Sequence, residues 1–169
     1  MDAKSYIQIE FAGARQLIDA AIGGTTDEQI NWQPPGLANS IKASFIHLVV
    51  SEDFFIQQII QGQPQIWAVG GWAEKTGLPF PPGGGRGWEE IKIVTMALAP
   101  MLAYQQAVRA ATDAYLAALT PEELDRSISL FGNPAPVASA LTLVVSHMVG
   151  HAGEIAALKG VQGVMGLPF

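Results

Sequence analysis

The sequence predicts an all-α protein, a four-helix bundle, on three observations. Four segments repeat apolar residues at helical spacing, Gly and Pro separate these segments, and no apolar–polar alternation is long enough to make a sheet. The 169 residues suit a single domain, 1–169, with a core large enough to fold alone.

The first helix is expected over roughly 3–22, where Ile7, Phe11, Ala14, Ile18 and Ala21 share a face and Gly23-Gly24 stops the run. A polar connection follows, in which Pro34-Pro35-Gly36 cannot continue a helix. Asn39 or Ser40 can cap the second helix, roughly 40–61, whose stripe is Ile41, Phe45, Leu48, Phe55, Ile56 and Ile59. The stretch 62–88 is rich in Gly, Pro and Trp and reads as a long crossover, because Trp67, Trp72, Phe80 and Trp88 need something to pack against. The third helix is expected over about 90–119, with Leu98, Met101, Leu102, Val108, Tyr115 and Leu119 inward and Pro100 starting or kinking it. Thr120-Pro121-Glu122-Glu123 opens a short capped turn. The last helix, about 137–160, ends at Gly160 with Lys159 in its final turn. A crossover as long as 62–88 can run the length of a bundle and join parallel neighbours.

Composition narrows the function. Hydrophobic residues make up 49% and charged residues 14%, against about 25% charged in ordinary soluble domains. Much of the chain is therefore buried, internally or in a homodimer. No uninterrupted apolar run reaches the roughly 18 residues that span a bilayer, so no membrane is expected. The amino terminus lacks a basic region followed by an apolar one, and a cytoplasmic location is the default. Net charge is −6 and the nine Lys and Arg are dispersed, which argues against nucleic acid as a partner. The absence of cysteine excludes disulfides, thiolate metal sites and a cysteine nucleophile.

The chemistry rests on three histidines. His147 and His151, four apart, lie on one helix face about 6 Å apart along the axis. His47 sits at the middle of the second helix, and facing helices of a bundle commonly build a metal site between them. The fourth helix is apolar nearly all round, so both of its histidines are buried or half-buried and need partners. Met148 follows His147, so the glutamate of the zinc-protease HExxH motif is missing. Glu154 shares the His147–His151 stripe and is the candidate catalytic residue. It is a fourth ligand, an acceptor for an imidazole N–H, an acid/base group at the mouth of the site, or a solvated carboxylate. Glu52 and Asp53 point away from His47, and a solvated face is expected for at least one. Trp32, Pro34 and the tail GVMGLPF pack or at most wall a pocket. GGGRG at 83–87 lacks the Lys-Ser/Thr ending of a phosphate loop.

Trp32, Pro34, Ser40-Ile41 and His47-Leu48, with His147, His151, Gly153-Glu154-Ile155, Leu158 and Lys159-Gly160, resemble the DinB-like (DinB/YfiT-like) superfamily of metalloenzymes. The resemblance implies helices in up-down-down-up order and a divalent metal, often nickel or zinc, on His47, His147 and His151. It also implies a metal-dependent reaction on a small molecule, as a transferase or isomerase using a low-molecular-weight thiol, or as a hydrolase. The alternative is a non-catalytic metal- or ligand-binding module, or a dimerisation module. Many relatives have Gln where this chain has Glu154, and the 62–88 insertion departs from the family pattern.

Overall fold

The computed structural model describes residues 1–78 and 88–167, with the side chains of Trp88 and Glu89 left undescribed. Helix α1, Ala3–Ile22, begins where the Asp2 side chain accepts from Ser5 N–H and ends at Gly23, whose N–H closes on Asp19. The short α2, Asp27–Asn31, opens with a reciprocal capping box between Thr26 and Gln29. Ser40, one of the two expected caps, accepts from Ala43 N–H and starts α3, Ile41–Asp53. The second expected helix then changes type, continuing as a π-helical turn over Phe54–Ile60.

The expected crossover contains two short helices, α4 (Ile66–Val69) and α5 (Trp72–Thr76). Trp67 and Trp72 pack against Tyr104, with ring centroids 5.1 and 5.4 Å away, as large aromatics in a connection require. Phe80, the glycines of 83–87 and the last two tail residues lie outside the described residues.

The expected third helix is two helices, α6 (Trp88–Ile93) and α7 (Leu98–Ala117). Side chains from α2 and α3 hold the break between them. Asn31 both donates to and accepts from the Met96 backbone, Asp27 accepts from Leu98 N–H, and the Lys42 ammonium donates to the carbonyls of Lys92 and Val94. Pro100 falls in the first turn of α7, where a missing N–H costs least. Thr120 caps α8, Pro121–Asp125, as expected.

Against the expectation of no strands, Ser127–Leu130 (β1) and Asn133–Pro136 (β2) pair antiparallel, with Leu130 opposite Asn133. Four-residue strands are too short to show alternation, and Pro134 and Pro136 mask the second. The hairpin leads directly into α9, Val137–Val161.

The protein is therefore mostly helical around one core. Phe11 and Ile18 of α1, Phe45 and Leu48 of α3, Met101 and Val108 of α7, and Leu141 and Met148 of α9 are buried in it. α9 packs against both α1 and α3, and α3 also meets α7. By length and composition alone, Ile41–Ile60 and Val137–Val161 could each cross a bilayer, but the first is 72% buried as a core helix. Neither Glu52 nor Asp53 is solvated, which corrects the sequence expectation: they are 3% and 0% exposed. Each finds partners remote in sequence. Glu52 pairs with Arg15 of α1 at 3.0 Å, while Asp53 accepts from Ile66 N–H, Trp67 N–H and the Tyr104 hydroxyl.

Candidate metal centre

The three histidines meet. His47 occupies the midpoint of α3, between buried Ile46 and Leu48, so its ring is drawn into the helix interface rather than toward water. α9 runs alongside and turns His147 and His151 toward it. His147 Nε2 lies 3.0 Å from His47 Nε2 and 3.1 Å from His151 Nε2. The three ligand atoms all fall within 4.8 Å of one another, and the three rings are half-buried. His151 Nδ1 turns outward onto the Glu154 carboxylate at 2.6 Å.

Proton counting tests whether these residues fit a metal or only a hydrogen-bonded cluster. The Glu154 carboxylate accepts the proton of His151 Nδ1, so in the neutral ring His151 Nε2 is bare. His147 Nε2 faces two nitrogens at once. If it carries a proton it can donate to His151 but cannot accept from His47; if it is bare, it meets the bare His151 nitrogen lone pair to lone pair. No neutral arrangement gives each contact its own two-centre hydrogen bond, so protons alone leave one bond shared between two acceptors, whereas one cation accepts all three lone pairs. Ligands about 2.0–2.1 Å from one ion sit roughly 2.8–3.4 Å apart at adjacent corners of an octahedron or tetrahedron, a range that holds both of these separations. The residues fit a divalent ion.

Electrostatics favour neutral ligands. Burial, reinforced by the neighbouring His151, pushes the His47 pKa down to about 4. Burial, His151 and His47 likewise push His147 down to about 4. The hydrogen bond from His151 holds the Glu154 carboxyl below the usual carboxylate range, and hydrogen bonds from Ser44 and Asn39 act in the same direction. Asn39 and Ser44 are the site residues that sequence reasoning missed. Ser44 stands one helical turn before His47, a spacing that could have drawn attention to it.

Other expected positions fall elsewhere. Trp32 lines an open groove of about 850 Å³ with Thr26, Asp27, Gln29, Met96 and Gln162, and none of the histidines lines it. Pro34 is buried in packing. Glu52 and Asp53 belong to the ion pair and helix cap already described and do not join the histidines.

Comparison with known proteins bears on the fold and the family. A conserved protein from Enterococcus faecalis superposes with a TM-score of 0.80 at 21% identity, over 96% of this chain and 99% of that one. A DinB-like protein from Bacillus cereus ATCC 10987 superposes at 0.58 with 19% identity, over 98% and 93% of the two chains. A DinB-like protein from Bacillus subtilis does so at 0.54 with 17% identity, over 98% and 95%. At these identities the likeness is one of fold. No curated protein matches. The model of one family, the DinB superfamily, matches residues 10–155, a span that includes His47, His147, His151 and Glu154. The chain belongs to the DinB superfamily.

Proposed function

We propose that His47, His147 and His151 hold one divalent metal ion, nickel or zinc, and that the protein is a metal-dependent enzyme acting on a small molecule. The observation that carries this reading is the convergence of three imidazole Nε2 atoms, with contacts of 3.0 and 3.1 Å that cannot both be two-centre hydrogen bonds between neutral rings. A divalent ion bound by three neutral imidazoles keeps its full double charge and at least one open position, and supplies Lewis acidity toward water or a thiol. The remaining work falls to the chain. Glu154 holds the His151 proton on Nδ1 and keeps the Nε2 lone pair aimed inward. Burial keeps His47 and His147 unprotonated at neutral pH. A low-molecular-weight thiol as co-substrate, in a transferase reaction, or hydrolysis are the reaction classes that suit this centre. An up-down-down-up helix order belongs to the same reading.

The test is metal analysis of protein purified without a metal-chelate column. We expect about one equivalent of nickel or zinc per chain in the wild type and loss of the ion in His47→Ala, His147→Ala and His151→Ala. Full occupancy in all three folded variants would overturn the assignment. Turnover that tracks metal content, in a thiol-conjugation or hydrolysis screen, separates an enzyme from a non-catalytic metal-binding module.

A further inference from the structure

Phe131 is a residue the fold does not need. Its ring is 75% exposed, and a φ of 52° holds this bulky residue in the left-handed region that Asn or Gly adopts at less cost. Residues kept in such conformations cluster at binding and catalytic sites, where function is retained at the expense of stability. The ring does not stand alone. Its centroid lies 5.9 Å from that of Phe55, which lies 5.4 Å from that of Phe54, and both pairs meet edge to face. Phe54 and Phe55 open the π-helical turn Phe54–Ile60 and are half-buried. Such turns are rare and frequently lie at functional sites. The three rings form an open row that a further ring can join at about 4.5–7 Å between centroids.

The row starts close to the histidines. Phe54 follows His47 by about two helical turns on the same face, roughly 10 Å along the axis. The position between them on that face is Ser51, a small side chain. α9, which carries His147 and His151, packs against both α3 and the π turn, and the first strand of the hairpin that presents Phe131 also packs against the π turn. The histidines and the rings thus lie along one pair of helices. We propose that Phe54, Phe55 and Phe131 form the apolar wall of the substrate site, and that the substrate carries a neutral aromatic group about 10 Å from the group that reaches the histidines. This rests on the reading of the histidines as a metal centre and names the substrate class of that centre.

Charge and area select this occupant. The stretches 54–63 and 127–146, which carry the rings, contain no Asp, Glu, Lys or Arg. At their border Arg126 donates to the Ile60 carbonyl and is paired with Glu123 at 2.7 Å, so neither charge is left to hold an ionic group. A neutral apolar group is what such a wall accepts. A whole aromatic side chain buries about 150–250 Å², and two of these three are already half-buried, so the row offers on the order of 150–350 Å². That is well short of the ~800 Å² a side of a stable protein interface and suits one or two rings of a small molecule.

Two binding measurements test it. N-phenyl-1-naphthylamine, a neutral aromatic dye that brightens in apolar surroundings, should bind the metal-free wild type. Phe131→Asn should weaken that binding by about tenfold while raising the unfolding temperature, and Phe131→Tyr, which keeps the ring, should stay within about twofold of the wild type. A merely structural ring would move stability and dye binding in the same direction. In nickel- or zinc-loaded protein, 4-phenylbutane-1-thiol should bind at least about tenfold tighter than butane-1-thiol, and Phe131→Asn should remove most of that preference. Should Phe131→Asn fail to fold, Phe131→Ser and Phe55→Leu take its place. No dye binding by the wild type, equal dye binding by Phe131→Asn, or no preference for the ring-bearing thiol would each overturn the proposal. So would a wild type that sediments as a larger species than Phe131→Asn, because a second copy would then cover the rings. Absence of metal from the wild type would overturn the metal reading alone, since the dye is measured on metal-free protein.

Discussion

A carboxylate 2.6 Å from Nδ1 of His151 determines which nitrogen of that ring is bare, and so whether the ring can be a ligand. Glu154→Ala should therefore weaken zinc or nickel binding by about 10–100-fold in a chelator competition, with Glu154→Gln losing less because its amide oxygen still accepts. Wild-type affinity in both variants would show that Glu154 does not orient His151. His147, His151 and Glu154 were legible because helical spacing alone places them on one stripe, and His47 because it sits at the middle of a facing helix. Asn39 and Ser44 were not, since they sit just before and within α3 while Glu154 is on α9, more than a hundred residues away in the chain. Glu52 was misread for a related reason: its burial depends on Arg15, 37 residues away, and nothing local marks the pair. That pair gives a second prediction. Arg15→Met keeps the alkyl volume and removes the charge opposite a buried carboxylate, and should cost about 3–5 kcal/mol at pH 7 by urea unfolding. Burial raises the Glu52 pKa in the folded state, so the folded chain holds its proton more tightly than the unfolded one, and stability rises as pH falls through the folded value. Losing Arg15 enlarges that effect. The Arg15→Met deficit should accordingly shrink between pH 7 and pH 5 and largely vanish in Arg15→Met/Glu52→Gln.

Among the elements, helices with a long apolar stripe or a side-chain cap could be read directly: α1 and α9 stand where spacing puts them, and the start of α3 and α8 where caps do. The break before α7 could not, because its determinants, Asp27, Asn31 and Lys42, sit on α2 and α3. The hairpin was hidden by its prolines and by an unsuitable turn residue. Leu130 and Asn133 face each other across the two-residue loop Phe131-Gly132, whose φ values of 52° and 82° are those of a type I′ turn. Gly132 tolerates this; Phe131 is held in a left-handed conformation that costs a bulky residue about 1–2 kcal/mol. Against that cost stands an edge-on contact with Phe55, centroids 5.9 Å apart. With Phe131 75% exposed, the contact falls at the low end of the roughly 0.5–1.5 kcal/mol that aromatic pairs contribute. Strain wins this balance. Phe131→Asn, which makes the favoured Asn-Gly turn, should raise stability by about 0.5–1 kcal/mol. A loss of stability would mean that the ring contact outweighs the strain.

At the scale of the whole molecule, an ion on the three histidines would be a cross-link. His47 and His147 are 100 residues apart in the chain, on two helices that pack against each other. The unfolded chain has no such preformed site, so an ion held by these three ligands binds the folded state and shifts unfolding by mass action. Free metal at about a hundredfold over its dissociation constant should add roughly 2.7 kcal/mol. For a chain of this length each kcal/mol moves Tm by about 2–4 °C, so loading should raise Tm by roughly 5–11 °C and chelation should reverse the shift. Removing any one ligand should abolish most of the shift, which His147→Ala tests in the centre of the cluster, where one nitrogen contacts both others. The control separates this from dimerisation. Any self-association would make Tm depend on protein concentration, whereas the metal term persists at fixed protein concentration. A Tm indifferent to nickel and zinc in the wild type, with the histidines intact, would mean that the three imidazoles are held by a shared hydrogen bond without an ion, and would overturn the metal assignment.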